Sequence, residues 1–423
     1  MMTRLAPPVV ASDFAPIRYD TLEGLRGCAA LIVLYGHLTA PHHALDPAYA
    51  PSPVFWFFES SLPAVMVFFI LSGFVIGHTN TGGFTTLAAK SYLARRAVRV
   101  LPIYLVAVAT GWMLSPAADW RTLLGHLLFL QNDAQGLPLQ VSLLTANPNL
   151  WSLHYEAVYY LAFLILWWAR PSAVPVFAGL LLLGGLALLV PGFPPALSWL
   201  ACGLVYWLAG LAVAWCLPVA AESERSPWPS VVLLAMATGQ LNVFHVLLTR
   251  LGLDILWVPG VTFEHLASLP SLLWLFLLVV RRRPSWLNRL EFITWSLPVG
   301  FIIWRFIRGT WTWRGEDLAV FSMVLTAVLV RRWRPGLSFF RWLAPIGAMS
   351  YAVYALGAPV QHFVLRLFPE ISGSVYTFAA RALLVLLLLF PAAWWLELKL
   401  QSGIRGRIAR GTGRNPVPQP TSA

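Results

Sequence analysis

The chain has 423 residues, of which 58% are hydrophobic, 14% aromatic and only 11% charged, and its mean hydropathy is +0.71. That composition excludes a single water-soluble domain, whose surface would need far more charge, and points to a polytopic membrane protein. The formal charge of +12 comes almost wholly from arginines set between apolar runs, which fits loops on the positive-inside face of a bilayer better than a nucleic-acid surface. The 21 tryptophans suit many membrane interfaces, and the 32 prolines suit short turns and helix breaks within a bundle. Cys28, Cys202 and Cys216 lie in apolar runs and are spaced for neither a disulfide framework nor a metal, so they read as packing residues.

In chain order, residues 1–20 place Arg4, Asp13 and Arg18 among prolines without a continuous apolar core. No cleavable signal peptide is evident, and the segment is expected in the cytoplasm. The first span runs from Tyr19 to His37 and carries Glu23, Arg26 and His37. At 100° per residue, Arg26 and His37 return to within about 20° of one another while separating by roughly 16 Å along the axis, and Glu23 lies about 40° from His37. A carboxylate, a guanidinium and an imidazole therefore share one stripe of an apolar helix. Such groups usually face a bundle interior or a wet cavity, and the plainer reading is charges snorkelling at a helix end. Thr39 to Ser60 is a loop rich in Pro and His, where His42 and His43 read as solvated residues before a metal pair.

Ser61 to His78 forms the second span, and Thr79 to Arg99 turns polar and then basic. The third span, Val100 to Ser115, has Pro102 near its expected start, where a missing N–H costs nothing. Leu123 to Leu130 is too short to cross and reads as re-entrant or interfacial; Leu150 to Ala169 is the fourth span, with Glu156 inside it. Further apolar runs lie near 173–190, 197–217, 229–248, 265–281, 290–308, 316–330, 342–362 and 375–398. The expected fold is an all-α polytopic transmembrane helix bundle of about 10–12 spans. The weakest span is 290–308, interrupted by Glu291, Arg305 and Arg308. Counting it, and with both termini cytoplasmic, puts Lys90 to Arg99, Arg281 to Arg283, Arg331 to Arg334 and Lys399 to Arg414 on one side; omitting it sends the later clusters outside. The similarity of 277–290 to 327–343 does not establish a repeat. The organisation expected is a cytoplasmic segment over 1–20, a transmembrane unit over 21–400 and a disordered basic cytoplasmic tail over 401–423.

Signatures of soluble enzymes are missing: there is no P-loop, dinucleotide fingerprint, HExxH helix or GxSxG elbow. Any chemistry must come from groups within the membrane. Besides the stripe on the first span, Phe68 to Phe74 (FFILSGF) contains Ser72 in a small step that lets another backbone or a ligand approach. Arg96 and Arg99, one turn apart, present two planar forks to one anion. Trp151 to Glu156 (WSLHYE) continues to Tyr160, so Ser152, Glu156 and Tyr160 stack at i, i+4 and i+8.

These pieces, in this order, resemble the acyltransferase-3 family of integral membrane O-acyltransferases. The basic residue, ten residues, then His of that family is matched by Arg26 and His37, its FFxLSGF by 68–74, its RxxR with following Pro and aromatic by Arg96, Arg99, Pro102 and Tyr104, and its WSLxxE by 151–156. Its late SYxxY helix is matched by Ser350, Tyr351 and Tyr354. Glu23 stands where Asp is usual, Ala64 replaces a glycine, and Gly357 stands where a histidine is common. Lys399 stands where a proline is frequent, which gives Glu397 little weight. Without a following esterase-like domain, the resemblance is to the stand-alone members.

The resemblance implies acyl transfer from acetyl-CoA or another acyl-CoA to a hydroxyl, in a multi-pass protein of the inner (plasma) membrane, with no metal. The acceptor it implies is a glycan or lipid-linked sugar, or another small hydroxyl compound, and O-acetylation in polysaccharide biosynthesis is the expected setting. It implies His37 as general base, Glu156 orienting it or stabilising its imidazolium, and Arg26 as an oxyanion partner unless Glu23 occupies it. Arg96 and Arg99 are expected to hold the phosphates of coenzyme A, with Tyr104 on the pantetheine path. Glu23, Ser72, Trp151, Ser152, Tyr160, Ser350 and Tyr351 are the expected substrate-lining set. Membrane lipids are expected neighbours, no nucleic acid is expected, and oligomeric state is left open. The competing class is a transporter or flippase, which also shows charges inside spans but would not consume acyl-CoA.

Overall fold

Long runs of Leu, Val, Ala and Phe leave the backbone no water to bond to inside a bilayer, so intrahelical bonding is forced. The computed structural model describes residues 4–5, 19–39, 45–52, 55, 60–132, 139–190, 192–217, 225–241 and 263–411. Among them the chain is all-α, with only isolated bridges between extended residues. Ser61–Thr79, Ala196–Cys216, Leu287–Ile307 and the continuous Val375–Arg407 are each long and apolar enough to cross a membrane. Leu287–Ile307 covers the run whose charges made it the weakest candidate. Large apolar side chains face outward where water would penalise them, including Ile165 at 65% and Leu329 at 73% exposure, as a lipid-facing surface requires.

The elements that position the site are α1 (Tyr19–Thr39), α2 (Ser61–Thr79), α3 (Thr86–Met113), α4 (Trp120–Leu127), α5 (Trp151–Ala169), α6 (Ala173–Leu189) and α7 (Ala196–Cys216). They are followed by α8 (Trp228–Gly239), α9 (Leu269–Val280), α10 (Leu287–Ile307), α11 (Gly315–Val330), the short α12 (Ser338–Trp342) and α13 (Ala344–Ala348), α14 (Ser350–Leu367) and α15 (Val375–Trp394). A π-helical turn, Trp395–Leu400, carries α15 into α16 (Gln401–Gly411) without a break.

Several boundaries differ from the sequence reading. The third helix starts at Thr86, where the Thr85 side chain accepts from the Ala88 N–H, so the basic stretch Lys90 to Arg99 is helical and Pro102 lies in the helix interior. Its 28 residues extend about 42 Å, enough for a basic lower part below an apolar upper part. The run 342–362 is not one span: α12, α13 and α14 divide it, with Pro345 in the first turn of α13. The helix through Leu400 continues to Gly411 instead of ending at the basic tail. At 33 residues, Val375–Arg407 would extend about 50 Å, well beyond a hydrocarbon core of about 30 Å. The readings of His42 and His43, of 242–248 and of 412–423 concern residues outside those described.

Small residues set the two closest helix approaches. A Cβ on Gly73 would lie 1.9 Å from the Trp207 carbonyl oxygen, and one on Gly210 the same distance from that of Ile70, so α2 and α7 touch backbone to backbone. On α1, a Cβ on Gly24 would lie 1.5 Å from the Phe340 carbonyl oxygen; across the same seam, one on Gly347 would lie 1.8 Å from the Glu23 carbonyl oxygen. Short helices α12 and α13 therefore pin the first half of α1 and deliver Ser350 beside Arg26.

Candidate active site

A cavity of about 810 Å³, counting its open mouth, lies among α1, α2, α3, α5 and α14. Its apolar wall comes from side chains such as Val65, Phe68, Phe69 and Leu153, and its polar wall from arginines, hydroxyls and one carboxylate. Arg26 enters from α1, with its Nη1 donating to both Glu23 oxygens at 2.7 and 2.8 Å. Ser72 enters from α2: its Oγ accepts from Trp207 Nε1 at 3.3 Å and donates to Glu156 Oε1 at 3.2 Å. The Tyr160 hydroxyl, one turn further along α5, donates to the same carboxylate oxygen. Ser152, Glu156 and Tyr160 all line the cavity, because one turn separates each from the next. Ser350, Tyr351 and Tyr354 close it from α14.

The two arginines of α3 differ. Arg99 Nη1 donates to Glu397 Oε2 at 2.7 Å and to Gln401 Oε1 at 2.8 Å, so its charge is met from the π-helical turn and the start of α16. Arg96 also lines the cavity, yet no side chain among the described residues hydrogen-bonds it or pairs its charge. Its guanidinium sits 6.0 Å from the Tyr92 ring, and its buried Nε has no acceptor. Arg96 is half-buried, and leaving the donors of a guanidinium unmatched there is costly.

His37 lies at the other end of α1 and is not part of the cavity lining. Its Nδ1 lies 3.1 Å from the Asn149 side-chain nitrogen, and its carbonyl accepts from Gln361 Nε2 at 2.9 Å. The expected contact between His37 and Glu156 is therefore not made. Glu156 bonds Ser72 and Tyr160, and it follows Asn149 by seven residues, about 10 Å along a helix. Between the two levels stand Ser152 and Tyr354, whose hydroxyls are 2.7 Å apart; the Tyr354 hydroxyl also donates to the Asn149 carbonyl at 2.9 Å.

Three further expected residues sit outside the cavity lining: Glu23, which pairs with Arg26, and Tyr104 and Trp151. Tyr104 is fully buried, stacked on Phe129 at 4.1 Å, with its hydroxyl donating to the His126 carbonyl at 2.5 Å, so it packs α3 against α4. Trp151 packs edge-on against Trp199 at 5.5 Å. Sequence reasoning gave no role to Asn149, Gln361 or Tyr354 and little to Glu397. Glu397 carried the same signal as Glu156, a carboxylate in an apolar run, and its 4% exposure and arginine partner reveal its place. Among the described residues no group of three or more His, Cys, Asp or Glu is placed to hold a metal.

Comparison with known proteins gives the family. The model of the acyltransferase-3 family, described as an acyltransferase domain, matches residues 19–398. The chain is 35% identical over 100 residues to protein 2 in the picA locus of Rhizobium radiobacter, across 23% of this chain and 46% of that protein. It is 27% identical over 258 residues to acyltransferase MdmB of Streptomyces mycarofaciens, across 54% of this chain and 65% of that protein. No solved structure matches it. With the family model covering nearly the whole helical unit around the cavity, the chain belongs to the acyltransferase-3 family.

Proposed function

We propose that the chain is a membrane O-acyltransferase that moves an acyl group, in the simplest case acetyl, from acyl-CoA to a hydroxyl of a glycan, a lipid-linked sugar or another small acceptor. The observation that carries this reading is the unmatched Arg96 guanidinium in a hydroxyl-lined cavity, at one end of the helix whose other end holds His37. Coenzyme A is polyanionic, and its phosphates suit a guanidinium with open donors. The basic lower part of α3 suits a cytoplasmic face, which is where acyl-CoA is found. The pantetheine arm extends from the phosphates toward the thioester. It is the part of the donor shaped to pass Glu156, Ser152 and Tyr354 on the way to His37.

In the reaction, the acceptor hydroxyl oxygen attacks the thioester carbonyl carbon while its proton passes to the imidazole of His37. The tetrahedral intermediate collapses with cleavage of the carbon–sulfur bond, and the imidazolium returns the proton to the departing thiolate. Arg26, roughly 16 Å from His37 along α1 and paired with Glu23, is assigned to the donor's charge instead of the oxyanion. Glu156 is assigned to accept from the amides of the passing pantetheine arm, with Ser72 and Tyr160 holding it in place.

The test is incubation of membranes carrying the chain with labelled acetyl-CoA and extracted glycans or metabolites, scored for alkali-labile label. At donor concentrations below the parent's KM, ester label is expected with the parent, at roughly tenfold to a hundredfold lower rate with Arg96→Ala, and at background with His37→Ala. Full labelling by both variants would overturn the assignment, and substrate movement without loss of acetyl-CoA would point to a transporter.

A further inference from the structure

One side-chain partner of His37 is the amide of Asn149, and an amide can serve either ring form. A half turn about Cβ–Cγ of Asn149 exchanges its nitrogen for its oxygen at the same point, and the proton on the ring decides which fits. With Nδ2 at 3.1 Å from Nδ1, the amide donates and the neutral ring carries its proton on Nε2, leaving no lone pair there to take another. With Oδ1 in that place, Nδ1 keeps the proton and the lone pair is on Nε2.

The backbone of Asn149 is held from several directions, so this exchange is confined to the side chain. Its carbonyl accepts from the Tyr354 hydroxyl at 2.9 Å, and the next carbonyl, of Leu150, accepts from Gln131 Nε2 at 2.9 Å. Two residues earlier, Asn147 Nδ2 donates to the carbonyls of Ala355 on α14 and Ala107 on α3, at 3.0 and 3.3 Å. The 3-10 turn Pro148–Leu150 is thereby fixed against two helices before α5 begins, and Asn149 itself is 3% exposed. On the opposite side, Gln361 fixes the backbone of His37 through its carbonyl. Leu150, fully buried in the apolar core, anchors the turn further, and such fixing of the backbone is what a placed functional group needs.

We propose that Asn149 is a positioning residue that sets the tautomer of His37, its carboxamide oxygen accepting from Nδ1–H so that Nε2 takes the proton of the acceptor hydroxyl. This rests on the assignment of His37 as the base. Through the cycle the Nδ1 proton stays on the ring, held by Asn149. Only the Nε2 proton is gained from the acceptor and passed to the thiolate, so the imidazole ends as it began.

The experiment uses the full chain in membranes, with acetyl-CoA as donor and an acceptor extract that the parent labels. Asn149→Leu is expected to lower kcat by about tenfold to a hundredfold with the KM for acetyl-CoA unchanged, while Asn149→Asp, which still accepts at that point, keeps most of the parent's kcat. Equal loss in both variants at equal folded amounts, or no loss in Asn149→Leu, overturns the proposal. If the variants fold poorly, the parent decides it: selective ¹⁵N-histidine spectra, with the His37 signals assigned by their loss in His37→Gln, are expected to show protonated Nδ1. Protonation on Nε2 overturns it. Parental activity in His37→Ala would instead refute the base assignment, whereas an inactive His37→Ala beside a fully active Asn149→Leu refutes only the role of Asn149.

Discussion

The two ends of α1 are built from different chemistry. Around Arg26 the bundle gathers charge: Glu23 on the same helix, Arg96 and Arg99 on α3, Glu156 on α5 and Glu397 from the π-helical turn. Around His37 it places the amides of Asn149 and Gln361. Charge of this kind suits a polyanion, whereas a neutral amide such as that of Asn149 can meet an imidazole without fixing its charge, and Gln361 holds the backbone beside it. The Ser152 and Tyr354 hydroxyls belong to both regions, as part of the cavity wall and as neighbours of the Asn149 carbonyl.

That division can be broken at either end. The largest effect is expected for His37→Ala, with kcat lower by about 10²–10⁴ and the KM for acetyl-CoA little changed in steady-state transfer assays. Arg96→Ala comes next. Loss of a charge-assisted contact of about 1.5–3 kcal/mol should raise the donor KM by roughly tenfold to a hundredfold and leave kcat near that of the parent, and added salt should weaken donor binding in the parent. Glu397→Gln sharpens the contrast between the two arginines. It releases Arg99 from its ion pair, so the donor KM should fall a few-fold while thermal stability in detergent drops; an unchanged KM would make the pair purely structural.

The smallest effect lies outside the helices, in the segment between α1 and α2. Burial opposes ionisation of Asp46, but hydrogen bonds from the Ser372 and Thr377 hydroxyls and from the Gly373 and Ala48 N–H groups outweigh it and hold its carboxyl below the ordinary value. A depressed carboxyl stabilises the fold above the unfolded value, and that stability is lost as pH falls through the folded one. Asp46→Asn should therefore cost on the order of 1–3 kcal/mol at neutral pH, with the gap to the parent closing in acid, as read from unfolding temperatures at several pH values.

Much of this architecture was legible in residue order because membranes make hydropathy decisive. The spans at 61–78 and 150–169 match α2 and α5 closely, and even 290–308 forms a helix despite its charges. Where the reading failed, tertiary partners had overridden local signals. Pro102 reads as a helix start, yet Thr85 caps the helix five turns earlier at most, and the basic residues between are carried by Glu397, Asn80 and Ser91. Ser152, Glu156 and Tyr160 were found by helical spacing, since a single helix sets their relation. The partner of His37 was not, because Asn149 sits in a Pro-Asn turn that looks like any loop until α3 and α14 close around it. Tyr104 was assigned by motif position, but its ring turns toward Phe129 and away from the cavity.

The central claim is that one helix separates donor binding from proton transfer, and equilibrium binding of labelled acetyl-CoA to the purified parent, His37→Ala and Arg96→Ala proteins tests it most directly. The account predicts that His37→Ala binds the donor as tightly as the parent while transferring about 10²–10⁴ more slowly, and that Arg96→Ala binds it at least about tenfold more weakly, on the order of the loss of one charge-assisted contact. Parental binding by Arg96→Ala, or loss of donor binding in His37→Ala, would contradict it.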